Sequence, residues 1–422
     1  MRVEPLGVRD PDAAPTTRAQ RSRLLRRAAI TYIALAAGLT GVTALAIHLP
    51  NADPTLPFDG TSVVGGWCRF DCGWYLDIAD RGYDANKRFE HFPANPTSAD
   101  QSSVAFFPGY PLVVRAVSNV LGVTALAAVL VTWLAGLLTV LLFAAWCASR
   151  LEPRHATLAV FCFVLYPYGW YLFGVGYADA LFLAAGIGAF VLLEHDQPVL
   201  AGLAGAVATA SRPIGVAIAA GLLLRAIERR GGLPARGAST SRLARLGVPA
   251  RLNVRVLRPR DLGVLLAPAG WIAWSAWLWA RFDDPFAYST VQAAWDQAEG
   301  PHTWFKVGFF GQLLHGTDTG YRATLVVQAL VTLVALVAVP LIARRFGAAY
   351  AGYTLLAVGL GAFATKDFMG MGRYMLAAFP VFALAGSLLA TRTRRLQTAV
   401  LVTAAALLAL GTFGFARNWY LT

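Results

Sequence analysis

Long apolar runs dominate the chain, at 28–49, 123–149, 155–174, 177–194, 198–228, 261–281, 322–343, 347–364, 371–390 and 396–416. A membrane crossing takes roughly 20 apolar residues, so most of these runs predict one spanning helix each. The exception is 198–228, which is long for a single crossing and is interrupted by Ser211-Arg212-Pro213. As one kinked helix it leaves the arginine-rich segment 229–260 on the outer side. As two short helices joined at Ser211-Arg212-Pro213, it gathers the basic segments near 150, 229–260, 344 and 392 on one side, as the arginine excess of cytoplasmic loops requires. That second reading predicts an all-α, polytopic integral membrane protein of about eleven transmembrane helices. Its weakness is that the two halves of 198–228 are short for the bilayer and call for thinning or a partly re-entrant pair.

The polar intervals complete the plan. Residues 1–27, basic and proline-containing, predict a disordered cytoplasmic tail ahead of the membrane domain 28–422. The N-terminus is then cytoplasmic, the cell membrane is the expected location, and loops 50–122 and 282–321 are extracytoplasmic. Segment 229–260 is read as a cytoplasmic linker. Within the first outer loop, 71–82 and 108–121 mix aromatic and charged residues and predict short helices lying along the interface.

Composition agrees with the pattern. The 422 residues are 57% hydrophobic and 14% charged, well below the roughly 25% charged of soluble domains. The net charge of +13 belongs to the cytoplasmic loops and does not argue for nucleic acid as a partner. Only Lys87, Lys306 and Lys366 are lysines. The histidines show no metal-ligand spacing and no nucleotide-binding glycine pattern is present, so no cofactor is expected; the carboxylates could hold a divalent metal, but none is required. Cys147 and Cys162 fall in apolar runs. Cys68 and Cys72 flank Asp71 and allow a local disulfide on the oxidising side, with free thiols the favoured expectation.

Chemistry concentrates in 67–84, where Asp71, Asp77, Asp80 and Asp84 are interleaved with Trp74, Tyr75 and Tyr83. A carboxylate among aromatic rings can have its pKa raised and take a proton from a sugar hydroxyl, which makes Asp71 the candidate base; the bland alternative is a solvated loop acid. Asp77, Asp80 and Asp84 are read as solvated or paired with Arg81 and Arg88. Asp179 sits at the outer end of an apolar helix, where it serves catalysis or merely complements the helix dipole. Arg212 and Arg373 lie within apolar stretches, and their planar cations suit a phosphate; the alternative is a structural pair, Arg212 with Asp179. Lys366 is a weaker phosphate candidate. Trp74, Tyr75, Tyr83, Phe107 and Tyr110 could line a sugar site or act only as interfacial anchors.

Phe70-Asp71-Cys-Gly-Trp-Tyr-Leu-Asp-Ile-Ala-Asp-Arg-Gly-Tyr83 and Ala105-Phe-Phe-Pro-Gly-Tyr-Pro111 together resemble the PIG-V-like (GPI mannosyltransferase II-like) enzymes, in a bacterial, actinobacterial-type form. Gly176-Tyr-Ala-Asp-Ala-Leu-Phe182, Ala210-Ser-Arg-Pro-Ile-Gly215 and Gly372-Arg-Tyr-Met-Leu-Ala-Ala-Phe-Pro380 follow in a similar order. The resemblance implies a GT-C fold with a catalytic first extracytoplasmic loop, a polyprenyl-phosphate sugar donor, mannose first, and a glycolipid or glycan acceptor. It assigns Asp71 as catalytic acid-base residue, Asp179 as a second acid, and Arg212 and Arg373 as basic positions. Phe70 stands where the family has Trp, and Asp179 where it has Glu. Transfer of arabinose or glucose from the same donor type, a lipid or sugar transporter or flippase, and a non-catalytic subunit are the competing readings.

Overall fold

The computed structural model describes residues 17–49, 62–83, 101–233 and 252–421. The expected tail 1–27 lies mostly outside the described residues, as do Asp84, Arg88, and parts of the loop 50–122 and the linker 229–260. Among the described residues the secondary structure is helical, with no strands.

The first helix, α1 (Arg18–His48), starts at a capping box in which Thr17 and Gln20 satisfy each other's backbone amides. Two short helices follow, α2 (Val63–Trp67) and α3 (Cys72–Arg81), then α4 (Gly109–Leu121). The helices α3 and α4 match the interfacial segments read from the sequence. Next come α5 (Thr124–Ala148), α6 (Pro153–Val164), α7 (Asp179–Glu194), α8 (Pro198–Ser211) and α9 (Gly215–Arg229). Beyond the linker lie α10 (Ala269–Phe282), α11 (Val307–His315), α12 (Thr319–Phe346), α13 (Ala348–Ala364), α14 (Met371–Tyr374), α15 (Phe379–Ala390) and α16 (Arg394–Ala416).

Among the described residues, four helices, α1, α5, α12 and α16, are long and apolar enough to cross a membrane, and the number is six if each of two bent pairs counts as one span. The remaining apolar helices are shorter than a full crossing. Proline accounts for much of this. The run 155–174 is α-helical only to Val164, two residues before Tyr166-Pro167, with a short 3-10 turn at Gly169–Leu172, and 371–390 bends by 84° ahead of Pro380.

The ambiguous run 198–228 is a hairpin. Pro213 disfavours helical backbone at the residue before it, and Arg212 is extended, with φ −154° and ψ 147°. A Cβ at Gly205 in α8 would stand 3.1 Å from Leu222 Cδ1 in α9, a contact only antiparallel helices can make. The far end of α9 returns to the start of α8, where Arg230 pairs with Asp196 at 3.3 Å.

A buried ion network closes that end. Arg225 makes hydrogen bonds of 2.7 and 3.1 Å to the two oxygens of Glu194, and Arg150 lies 2.5 Å from Glu194. The Tyr350 hydroxyl donates to Glu194 at 2.9 Å and accepts from Trp146 at 2.8 Å. These bonds join α5, α7, α9 and α13. Asp179 and Glu194 terminate α7, so its 16 residues hold this network about 22 Å from the Asp179 end.

Candidate active site

The Asp179 end of α7 gathers the reactive residues. Asp71 enters from the turn between α2 and α3, where Phe70 takes a left-handed φ of 49° and reverses the chain. The same reversal brings Cys68 beside Cys72, with Cα atoms 5.2 Å apart, and the two form a disulfide. The expectation of free thiols is thereby corrected: the tight turn at Phe70, invisible in a bare spacing of four, supplies the geometry. Gly176 backs this loop. A Cβ there would come within 2.6 Å of Cys72 Sγ, so the close approach requires glycine.

The neighbouring Tyr177 fastens the loop. Its hydroxyl accepts the Asp71 amide proton at 2.9 Å and donates to the Arg69 carbonyl at 3.2 Å. Arg69 in turn donates to the Ala416 carbonyl at the end of α16, at 3.0 Å.

The carboxylates and guanidiniums alternate. Arg373 Nη1 lies 3.7 Å from Asp71 Oδ2, and Arg373 Nε lies 4.0 Å from Asp179 Oδ1. Arg212 Nη1 contacts the same Asp179 oxygen. Asp179, Arg212 and Arg373 are all withdrawn from solvent, and the rings of Tyr171, Tyr177 and Tyr374 lie 5.2 to 5.4 Å from the Arg373 guanidinium. Tyr374 also takes Arg212, at 5.1 Å. Among the described residues, Arg373 Nε and Asp179 Oδ2 have no hydrogen-bond partner. Asp179, Arg212 and Arg373 line a small, partly open cleft together with Leu183, Ile214 and Tyr374.

Burial raises the Asp71 carboxyl above its ordinary range, and Asp179 adds to that push while Arg373 and Arg212 oppose it. Its side chain is 38% exposed, so water screens the group and the upward push is smaller than in a sealed site.

The other singled-out residues divide. Trp74 stacks on Phe106 at 5.6 Å, and Tyr75 meets Phe106 and Tyr110 edge-on at 5.2 and 5.3 Å. The Tyr83 hydroxyl donates to the Phe106 carbonyl at 2.7 Å, and the Tyr110 hydroxyl donates to the Ala128 carbonyl at 2.9 Å. Phe107 is buried against Trp274 and Tyr288. Asp77 is buried and pairs with Arg81 at 3.8 Å, the paired alternative rather than the solvated one. Lys366 is paired with Asp296 of loop 282–321, and its amide donates to Gln297 at 2.8 Å.

Two groups escaped the sequence reading. The buried Lys306 donates to the carbonyls of Ala362 and Thr365 at the end of α13, and burial lowers it to about 8. The buried Asp367 accepts from the Tyr321 hydroxyl at 2.9 Å and from the Met369 amide at 3.1 Å. Neither stands in a motif. Tyr177 does, one residue after Gly176 and two before Asp179, and that adjacency was the available signal. Among the described residues, no group of three or more His, Cys, Asp or Glu could hold a metal ion.

No protein-family model matches the chain, and no curated protein matches it. Among solved structures, ArnT from Cupriavidus metallidurans bound to undecaprenyl phosphate aligns with a TM-score of 0.49 and 13% identity, over 93% of this chain and 76% of ArnT. The archaeal oligosaccharyltransferase AglB from Archaeoglobus fulgidus, in complex with an inhibitory peptide and a dolichol-phosphate, aligns with a TM-score of 0.42 and 13% identity, over 92% of this chain and 56% of AglB. The apo form of the Archaeoglobus fulgidus oligosaccharyltransferase gives 0.44 and 13%, over 96% and 56%. This chain therefore spans a little over half the length of the oligosaccharyltransferases it aligns with.

Proposed function

We propose that the chain is a GT-C-type membrane glycosyltransferase that moves a sugar, mannose first, from a polyprenyl-phosphate donor to a lipid-linked or glycan acceptor. The observation that carries this reading is the alternation Asp71, Arg373, Asp179, Arg212 beside a small pocket, with a guanidinium nitrogen left unbonded. A buried arginine pair with spare donors suits a phosphate, which accepts two hydrogen bonds from each planar fork. Asp71, open to solvent on one side, suits a base that meets an incoming hydroxyl.

In the reaction, Asp71 takes the proton of the acceptor hydroxyl while that oxygen bonds to the anomeric carbon. The bond from the anomeric carbon to the phosphate oxygen breaks on the opposite face, and polyprenyl phosphate departs with the electron pair. Inversion converts a β-linked mannosyl phosphate into an α-mannoside. Arg212 and Arg373 stabilise the charge that develops on the leaving phosphate, so no separate general acid is needed. Asp179 holds the two arginines in register. Lys366, engaged with Asp296, supports the 282–321 loop and has no part in the phosphate site.

The test is transfer of tritiated mannose from polyprenyl-phosphate mannose into a lipid extract of the host, comparing wild type with Asp71→Asn. Label entering a new product with wild type alone supports the reading. Equal transfer by both removes Asp71 from the chemistry. If only arabinosyl or glucosyl donors are used, the sugar is reassigned; movement of lipid across vesicles with no covalent product replaces the enzyme by a transporter.

A further inference from the structure

The end of α16 and the segment after it, Arg417–Leu421, are tied at three points to elements that carry the reactive residues. The Ala416 carbonyl accepts from Arg69, two residues before Asp71, at 3.0 Å. The Tyr420 ring meets the Phe70 ring edge-on, with centroids 5.7 Å apart. Gln328 in α12 donates from Nε2 to the Leu421 carbonyl at 3.3 Å, while its Oε1 accepts from the Gly372 amide, one residue before Arg373, at 3.0 Å. One amide side chain thus ties this segment to the motif that carries Arg373.

The anchors leave Tyr420 with its ring half free. The residue is 56% exposed, although its backbone neighbours are held. An exposed aromatic ring packed on Phe70, the residue next to Asp71, is a surface on which the apolar face of a pyranose can lie. Phe70 continues this wall on the Asp71 loop and also meets Phe415, at 5.7 Å.

We propose that Tyr420, backed by Phe70, is the acceptor subsite: a stacking platform that selects an acceptor presenting a sugar ring and sets its hydroxyl against Asp71. This rests on the transferase reading and adds to it the class of acceptor and the residue that selects it. Tyr420 lies outside every motif that carries the family resemblance.

The experiment uses the full chain in lipid nanodiscs with butyl α-mannoside as the probe acceptor. Two readouts are taken: saturation transfer from protein aromatic protons to the pyranose protons, and label transfer from polyprenyl-phosphate mannose to the glycoside. Tyr420→Ala is expected to lose the saturation signal and raise the acceptor KM about tenfold, or about 1.4 kcal/mol. Tyr420→Trp is expected to restore both, with the donor KM following neither change. An alanine variant within about twofold of wild type in acceptor KM, or a tryptophan variant no better than alanine, overturns the proposal, as does absence of saturation transfer in wild type. Saturation transfer with no label transfer in wild type from mannosyl, arabinosyl or glucosyl polyprenyl-phosphate donors defeats the transferase reading while leaving the ring site standing.

Discussion

Asp71→Asn separates chemistry from folding more cleanly than any other substitution. Loss of a positioned base costs roughly 10²–10⁴ in rate, so transfer is expected to fall by that factor. Stability moves the other way. Burial raises the Asp71 pKa in the folded chain, so the folded state binds this proton more tightly than the unfolded state. The resulting stabilisation is present below the unfolded carboxylate pKa and is lost as pH rises through the folded one. At neutral pH the asparagine variant is therefore expected to melt no lower than wild type, with the gap closing at acid pH; a lower melting temperature at pH 7.5 would contradict this. The same shift places the acid limb of the rate profile above the usual carboxylate range near about 4, and Asp71→Asn removes that limb. Arg212→Lys keeps the charge but loses the fork, so the donor KM is expected to rise with little recovery relative to Arg212→Gln.

At the scale of the element, the break between α8 and α9 is the decisive feature, because it delivers Arg212 out of a helix and onto Asp179. Pro213→Ala removes the restriction on Arg212's backbone and is expected to raise the donor KM without changing the acceptor KM; a donor KM equal to wild type would show that the hairpin is set by packing alone. The five-residue loop Cys68–Cys72 is worth about 2 kcal/mol by loop closure, and Cys68→Ser/Cys72→Ser is expected to lower the melting temperature and the rate together. Thiol alkylation followed by mass spectrometry, before and after reduction, checks the bond itself.

Much at this scale was legible from the sequence. Ser211-Arg212-Pro213 announces its own break, the short helices expected over 71–82 and 108–121 are α3 and α4, and the residues singled out in the motifs, Asp71, Asp179, Arg212 and Arg373, come together. The disulfide was not legible, because it depends on the positive φ of Phe70, a conformation the residue type does not advertise. Tyr83 and Tyr110 were read for their rings, whereas their hydroxyls bind backbone carbonyls. Lys306, Asp367 and Tyr420 carry no local pattern at all; their partners lie far along the chain.

The whole molecule is a bundle with two charged ends. One holds Glu194 among arginines 150 and 225, with Arg229 and Arg230 nearby; the other holds Asp71, Asp179, Arg212 and Arg373. The basic end belongs in the cytoplasm if loop arginines set the orientation. A membrane-impermeant thiol reagent applied to intact cells is then expected to label Glu299→Cys and to spare Arg392→Cys. Labelling in the opposite sense would invert the topology and with it the side on which substrates are met.

The pairing of Asp179 with Arg212 and Arg373 has a kinetic corollary. On the transferase reading, the site contains its own counter-ion, tethered in place, so a departing lipid phosphate would compete with a rival that never diffuses away. Release of the spent carrier would thereby be assisted, and the site would reset itself between turnovers. Asp179→Asn removes that rival. It is expected to bind free polyprenyl phosphate more tightly than wild type and to show a single burst of transfer followed by a slow steady state. Tight binding would then be the defect, and an enzyme that holds its exhausted carrier works only once per encounter.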